Sequence, residues 1–521
     1  MKRSTDSRRV VTRRTMLGMM SVTVMAPVLA ACGTPPAPPV APQAAKPSDA
    51  AGAAKPAATT AAAPAGQPAA TVAPAAPAGA TAAPAAGQAP AAPAPTPTPP
   101  PPQLQAGQKL VTFMYNRTEI SEDEQAGFTK LNPNIQSYLV GADHVALMAM
   151  TAAGTPPDFY RVQAPDIPTF ILRKIARDLS DNFKSSQLIK MDDLAEANKN
   201  YMFDDSLKVG SGKIYGMVKD WSPDLSLFIN KKLVQAAGAT VPTDDTVLSY
   251  EQVLDLARKS QKKSGERVEV LGIGGAMNNW FDRVVEVQLN QVGSSLWDAD
   301  FSKVNLQSPE AKKVFQFWFD ASKENLTFNP LNPITTGSPS DYFVRGQIAI
   351  AQYGYWFSGR VNQTDAIRED IVMLKAPKWG DKYFAPTVTA TGALMHAQTK
   401  VFEEAWKMYE WFHAGDQAVV RAKSGWGVPG LKSMYQHMPT QTPFQQQVQK
   451  ILKDELTRTD QTVRYNPYIN QNQQVALNSF TGPWNKYLEQ VLRNQMTFDQ
   501  LLQNMEKDVN TAITEGKERL S

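Results

Sequence analysis

The chain has 521 residues, a formal net charge of +4, 42% apolar residues and one cysteine, so it forms no internal disulfide and no zinc site built on several cysteines. The basic excess is uneven: residues 1–31 carry +5, residues 33–108 carry +1, and residues 109–521 are left with −2. The larger part therefore asks for no nucleic-acid partner.

The first residues read as an export signal. Lys2, Arg3, Arg8, Arg9, Arg13 and Arg14 form a basic head before an apolar run from Met16 to Ala31. That run is too short for a comfortable membrane span. Thr12-Arg13-Arg14-Thr15-Met16-Leu17 reads as a twin-arginine export address. Leu29-Ala30-Ala31-Cys32-Gly33 resembles the lipobox of bacterial lipoproteins. Cys32 is then the expected site of lipidation, and two or three acyl chains on it would anchor the chain stably. Residues 32–108 form a leash: 20 of the 39 prolines lie between Pro35 and Pro102, among Ala, Thr and Gly. Such a composition cannot bury a core and is expected to be disordered. At about 3.1 Å per residue it reaches at most on the order of 200 Å.

From Lys109 the composition becomes globular, with enough residues for two lobes with separate cores. Strands are predicted at Leu110–Tyr115, Ile135–Val140 and Phe159–Val162. Helices are predicted at Glu122–Leu131, His144–Ala153 and Ile167–Ala176. This alternation predicts an α/β unit with a parallel sheet. Asp143 suits a helix cap. A strand at Val268–Ile273 follows the helix Tyr250–Lys262. Further helices are expected at Pro309–Glu324, with Ser308 as cap, and at Val401–Ala414, Thr442–Leu456 and Phe498–Thr514.

Several segments, in order, resemble one family. Phe128-Thr129-Lys130-Leu131-Asn132-Pro133-Asn134-Ile135 and Ala152-Ala153-Gly154-Thr155-Pro156-Pro157-Asp158 come first. Gly212-Lys213-Ile214-Tyr215-Gly216 and Leu227-Phe228-Ile229-Asn230-Lys231-Lys232-Leu233 follow, the latter with Ala237-Gly238 and Pro242 behind it. Then come Phe343 to Ile350, Phe402-Glu403-Glu404-Ala405-Trp406-Lys407, and Gly427-Val428-Pro429 with Lys432-Ser433. Together they resemble the extracellular solute-binding proteins of ABC importers, in the subgroup of maltose- and other sugar-binding proteins. The tryptophan usual near the helix after Pro242 is absent; Val247 and Tyr250 stand there. The resemblance implies a two-lobe, type II periplasmic-binding-protein-like α/β fold, with crossing hinge strands and a ligand cleft between lobes. It places one lobe at residues 109–220 and 388–430 and the other at 221–387 and 431–521. It also implies a monomer that delivers a solute, foremost a sugar or oligosaccharide, to ABC permease subunits from the outer face of the cytoplasmic membrane.

Sugar recognition needs hydroxyl partners and flat apolar rings. The resemblance places stacking aromatics at Trp280 beside Asn279, at Tyr355 and Trp356 after Gly354, and at Trp484; Trp426, between Gly425 and Gly427, is a further candidate. Trp221 and Asp220 sit at the presumed hinge. Asn116, Arg117, Arg161 and Gln163 follow strand ends, Asp166 stands at the next helix start, and Asp224 sits with Asp220 at the presumed hinge. Trp297, Trp318, Trp406 and Trp411 fall within element patterns and are expected in the core. No cofactor or metal is called for: His144, His396, His413 and His437 are scattered. Gly210-Ser211-Gly212-Lys213 lacks the upstream glycine of a phosphate loop, and Gly272-Ile273-Gly274 lacks the third glycine of a dinucleotide fingerprint. The expectation is therefore a binder and not an enzyme. The alternatives are a lipid-anchored carbohydrate-active enzyme, which would need two facing carboxylates, and a ligand sensor or adhesion lipoprotein on the same scaffold.

Overall fold

The computed structural model describes residues 100–388, 390–458, 463–469 and 482–520. The export signal, Cys32 and most of the leash lie outside these residues. Among the described residues no helix is long and apolar enough to cross a membrane.

Thirteen strands are described: β1 Lys109–Tyr115, β2 Ile135–Gly141, β3 Phe159–Gln163, β4 Met202–Phe203, β5 Lys213–Ile214, β6 Gly216–Trp221, β7 Ser226–Asn230, β8 Lys262–Ser264, β9 Arg267–Gly275, β10 Ile348–Tyr353, β11 Ile371–Leu374, β12 Thr391–Met395 and β13 Val428–Pro429. They form a six-stranded sheet in the order β13-β6-β12-β3-β1-β2, a five-stranded sheet in the order β11-β7-β10-β9-β8, and the small pair β4-β5. The parallel expectation holds only in part. β1 pairs parallel with β2 and β3, and β9 with β10. β12 runs antiparallel to both β3 and β6, and β7 antiparallel to β10 and β11. β6, β7, β11, β12 and β13 flank the passages between sheets, where no crossover helix intervenes to restore direction, while β8 meets β9 antiparallel through a tight turn.

Local signals explain the first elements. Ser121 and Glu124 form a reciprocal capping box for the helix Glu122–Leu131. Asp143 caps His144–Ala152 by accepting from the Val145 and Ala146 amides. Ser308 caps Pro309–Lys323 with Pro309 in its first turn.

Among the described residues the chain passes between the two large sheets three times: at residues 222–225, between β11 and β12, and between β13 and the helix Pro443–Glu455, which packs on β11. Two buried carboxyl groups tie these passages. Asp224 accepts from the Ser222 hydroxyl at 2.9 Å and the Val388 amide at 2.7 Å. Glu455 accepts from the Ser226 hydroxyl at 2.7 Å and the Ala376 amide at 2.6 Å. Gly354 lies against this knot; a Cβ there would stand 2.1 Å from the Asp224 carboxylate and the Ser222 hydroxyl.

The cores are not wholly separate. One cluster, with Phe113, Phe128 and Tyr409, lies against the six-stranded sheet, and another, with Phe281, Trp318 and Met505, against the five-stranded sheet. A third continues through the crossing, from Val162, Val218 and Trp221 to Phe228, Tyr353 and Phe357. Apolar side chains on β6 and β7 meet there, so the passages are packed as well as hydrogen-bonded.

Candidate functional site

A cavity of about 730 Å³ opens between the two large sheets. That is ample for a small solute of several rings, since ligand pockets commonly span about 300–1,000 Å³. On the six-stranded side, Asn116, Thr118 and Glu119 occupy the loop at the carboxyl end of β1. Arg161 and Gln163 come from β3, beside β1. β2 lies on the other side of β1, so the chain reverses its direction of sheet growth there, and the carboxyl ends at such a switch form a natural crevice.

β6 adds Lys219, Asp220 and Trp221. Thr391 pairs with Asp220 but Gly392 pairs with Val218, leaving Lys219 as an extra residue on β6. This bulge breaks the alternation of side chains, so neighbouring Lys219 and Asp220 both line the cavity.

The opposite wall follows the same logic. β9 and β10 are parallel neighbours, and each ends in a tryptophan-bearing loop: Trp280 between two helices, and Trp356 at the start of Phe357–Asn362. Gly275 precedes the Trp280 loop at φ 122°, where a Cβ would stand 2.4 Å from the Gln352 carbonyl. The turn therefore depends on glycine. The Trp280 and Trp356 rings stand 6.2 Å apart at 76°, and Trp356 and Trp426 stand 6.0 Å apart. Trp426 follows Gly425, a left-handed cap of the helix Asp416–Ser424, and is 36% exposed. Trp280 and Trp356 thus lie on the five-stranded side, and Trp426, just before β13 and beside Asp220, meets Trp356 from the six-stranded side.

The charges on the six-stranded side form a linked set. The Arg161 Nε contacts both Glu119 carboxylate oxygens at 3.1 Å. Buried Lys219 lies 3.4 Å from Glu119 and also pairs with Asp220. Burial pushes the Glu119 carboxyl up, but Lys219 and Arg161 outweigh it and hold it below the ordinary range. Glu119 and Asp220 are two carboxylates near one point, as glycoside hydrolysis requires. Yet they share one ammonium, and Glu119 is held ionised, so it is a poor proton donor. The set is suited to accepting hydrogen bonds from hydroxyls.

Arg421 projects from the helix Asp416–Ser424, its guanidinium 4.2 Å over the Phe412 ring and its Nη2 donating to the Phe412 carbonyl. Its Nε and Nη1 are buried and have no hydrogen-bond partner among the described residues. Burial pulls it below its ordinary value. Arg360, Gln363 and Thr364 complete the other wall, with Arg360 paired to Asp341. The two sides also touch directly: Arg283 donates to Gln163 at 2.9 Å, and the Thr169 hydroxyl to the Pro467 carbonyl at 3.0 Å.

Asn116, Arg161, Asp220, Trp221, Trp280, Trp356 and Trp426 are therefore brought to one cavity. Gln163 joins them, and six other candidates, Asp166 and Asp224 among them, do not line it. Tyr355 is 1% exposed and its hydroxyl accepts from Gln449; the turn at Gly354 sends it into the core while Trp356 faces the cavity. Trp484 is also 1% exposed, packed on Phe281 and Phe315. It shares an apolar stripe with Tyr487, Leu488 and Val491, at the spacing that turns one helix face inward. Arg117 is exposed and Asn279 half-buried, and neither lines the cavity. Asp224 holds the crossing instead of lining the site. Sequence reasoning missed Thr118, Glu119, Lys219, Arg360, Gln363, Thr364, Thr391, Arg421 and Ser424. Glu119 was within reach of the strand-end argument; Lys219 depends on a bulge no local signal announces.

No family model matches the chain, and no curated protein matches it. Solved structures do. An ABC substrate-binding protein, Lmo0181 from Listeria monocytogenes in complex with cycloalternan, superposes with a TM-score of 0.64 at 19% identity, covering 78% of this chain and 99% of that one. An ABC transporter solute-binding protein from Thermotoga lettingae bound with α-D-tagatose gives 0.61 at 16% identity, over 78% and 100%. The sugar-binding protein MalE from Xanthomonas citri gives 0.58 at 16%, over 78% and 98%. The fold is accordingly the two-lobed α/β architecture of the type II periplasmic-binding proteins.

Proposed function

We propose that this chain is a receptor that captures a sugar or oligosaccharide between its lobes, outside the cytoplasmic membrane, and hands it to an ABC importer. The lobes are built on the two large sheets. The observation that carries the reading is the cavity between them, with Trp280 and Trp356 on the five-stranded side and Trp426 with the Asn116, Glu119 and Asp220 polar set on the six-stranded side. Sugars need both features: apolar ring faces pack on indoles, and hydroxyls bond to amides and carboxylates. The saccharide complexes among the matching structures support the same choice of ligand.

Capture needs no bond-making. A ligand that touches both walls binds the approximated lobes better than separated ones, and this differential affinity draws them together. Three crossings pinned by Asp224 and Glu455 supply a compact pivot. Cys32, through its lipid, would tether the receptor beside the permease, and the leash would raise its effective concentration there. Delivery then rests with the transporter. The test is a thermal-shift screen of the purified protein against mono- and oligosaccharides. A rise in melting temperature with at least one saccharide is expected; a flat response across neutral and acidic saccharides alike would sink the reading.

A further inference from the structure

The cavity is more positive than the domain around it. Residues 109–521 carry −2 overall, yet four cations and two carboxylates line this one space. The carboxylates are already engaged: Glu119 with Arg161 and Lys219, and Asp220 with Lys219. Arg360 has Asp341. Among the described residues, Arg421 alone of the four has no carboxylate within ion-pair distance, and two of its nitrogens, Nε and Nη1, lack any hydrogen-bond partner. A guanidinium held over an aromatic ring and bonded to one carbonyl is only partly compensated, and desolvated charge is costly without a counter-charge.

We infer that the saccharide taken by this cavity carries an anionic substituent, a carboxylate or a sulfate or phosphate ester, and that Arg421 receives it. This rests on the saccharide reading above. A neutral hydroxyl would accept one hydrogen bond from Arg421 but leave its charge unmatched. A carboxylate or an ester oxyanion matches both the charge and the planar fork of donors. The tryptophans then hold the sugar rings while Arg421 selects among sugars of similar shape.

The test is isothermal titration calorimetry on the purified full chain with paired oligosaccharides of one linkage: uronate-bearing, sulfated, phosphorylated and neutral. Inorganic sulfate alone is the free-anion control. An acidic member of a pair should bind about tenfold tighter than its neutral partner, and the gap should narrow as salt is raised from roughly 0.05 to 0.5 M. Arg421→Gln should weaken the acidic member about tenfold more than its neutral partner, closing the gap, and Arg421→Lys should restore part of it. Should either variant fold poorly, the paired affinities of the unchanged protein decide. Neutral partners binding as tightly as acidic ones would overturn the inference and leave the saccharide reading standing. So would a preference that survives Arg421→Gln, or free sulfate binding as well as the acidic sugar. If no saccharide of any kind binds, both fall together.

Discussion

Glu455 offers a test of the crossing. The residue is fully buried, and its carboxyl joins Ser226 just after the first passage to Ala376 at the start of the second. Burial pushes it from its ordinary 4.5 up to about 8, against the lowering effect of those two hydrogen bonds. The folded state therefore keeps a proton that the unfolded chain releases. The associated stability is complete below the unfolded value and is lost as pH rises through about 8. A gap of that size corresponds to about 4–5 kcal/mol at most. With an unfolding entropy of about 2.1 cal/mol/K per residue over roughly 400 residues, the melting temperature should move by about 5 °C. Glu455→Gln mimics the protonated acid, and its amide oxygen can still accept from Ala376. The variant should melt close to the parent near pH 5 and above it near pH 8.5, measured by calorimetry at each pH. Parallel melting profiles for the two proteins would refute the assignment of a proton to Glu455 in the folded state.

Three further outcomes are expected. Trp356→Ala should weaken binding of any saccharide found by screening by roughly 2 kcal/mol, about thirtyfold by calorimetry, with little change in melting temperature. Gly354→Ala should destabilise by about 3 kcal/mol, because its Cβ would press on Asp224 and Ser222; an unchanged melting temperature would show that the crossing yields. Cys32→Ser should shift the protein from the membrane to the soluble fraction or leave an uncleaved precursor, without changing ligand affinity.

The elements that sequence reasoning reads well are those with local causes. Asp143, Ser121 and Ser308 cap helices through bonds within one turn, so their signals lie in adjacent residues. Trp318 and Trp406 sit on helix stripes whose spacing points inward, and both are buried. Trp280 and Trp356 are legible through the family resemblance, which puts stacking aromatics in these two loops. What could not be read depends on distant partners. Tyr355 and Trp356 are neighbours in sequence, and only the turn at Gly354 decides which one faces the cavity. Trp484 looks like a loop aromatic until Phe281 and Phe315 are seen around it. Lys219 and Arg421 depend on a bulge and on a helix folded back from far along the chain. The antiparallel strands that flank the sheet-to-sheet passages likewise follow from those passages, which leave no periodic trace.

A crystal structure of the saccharide complex decides whether the sugar is held between the lobes. Sugar rings are expected against Trp280, Trp356 and Trp426, with hydroxyls bonded to Asn116, Glu119 and Asp220. A saccharide seated elsewhere, with this cavity empty, would contradict this.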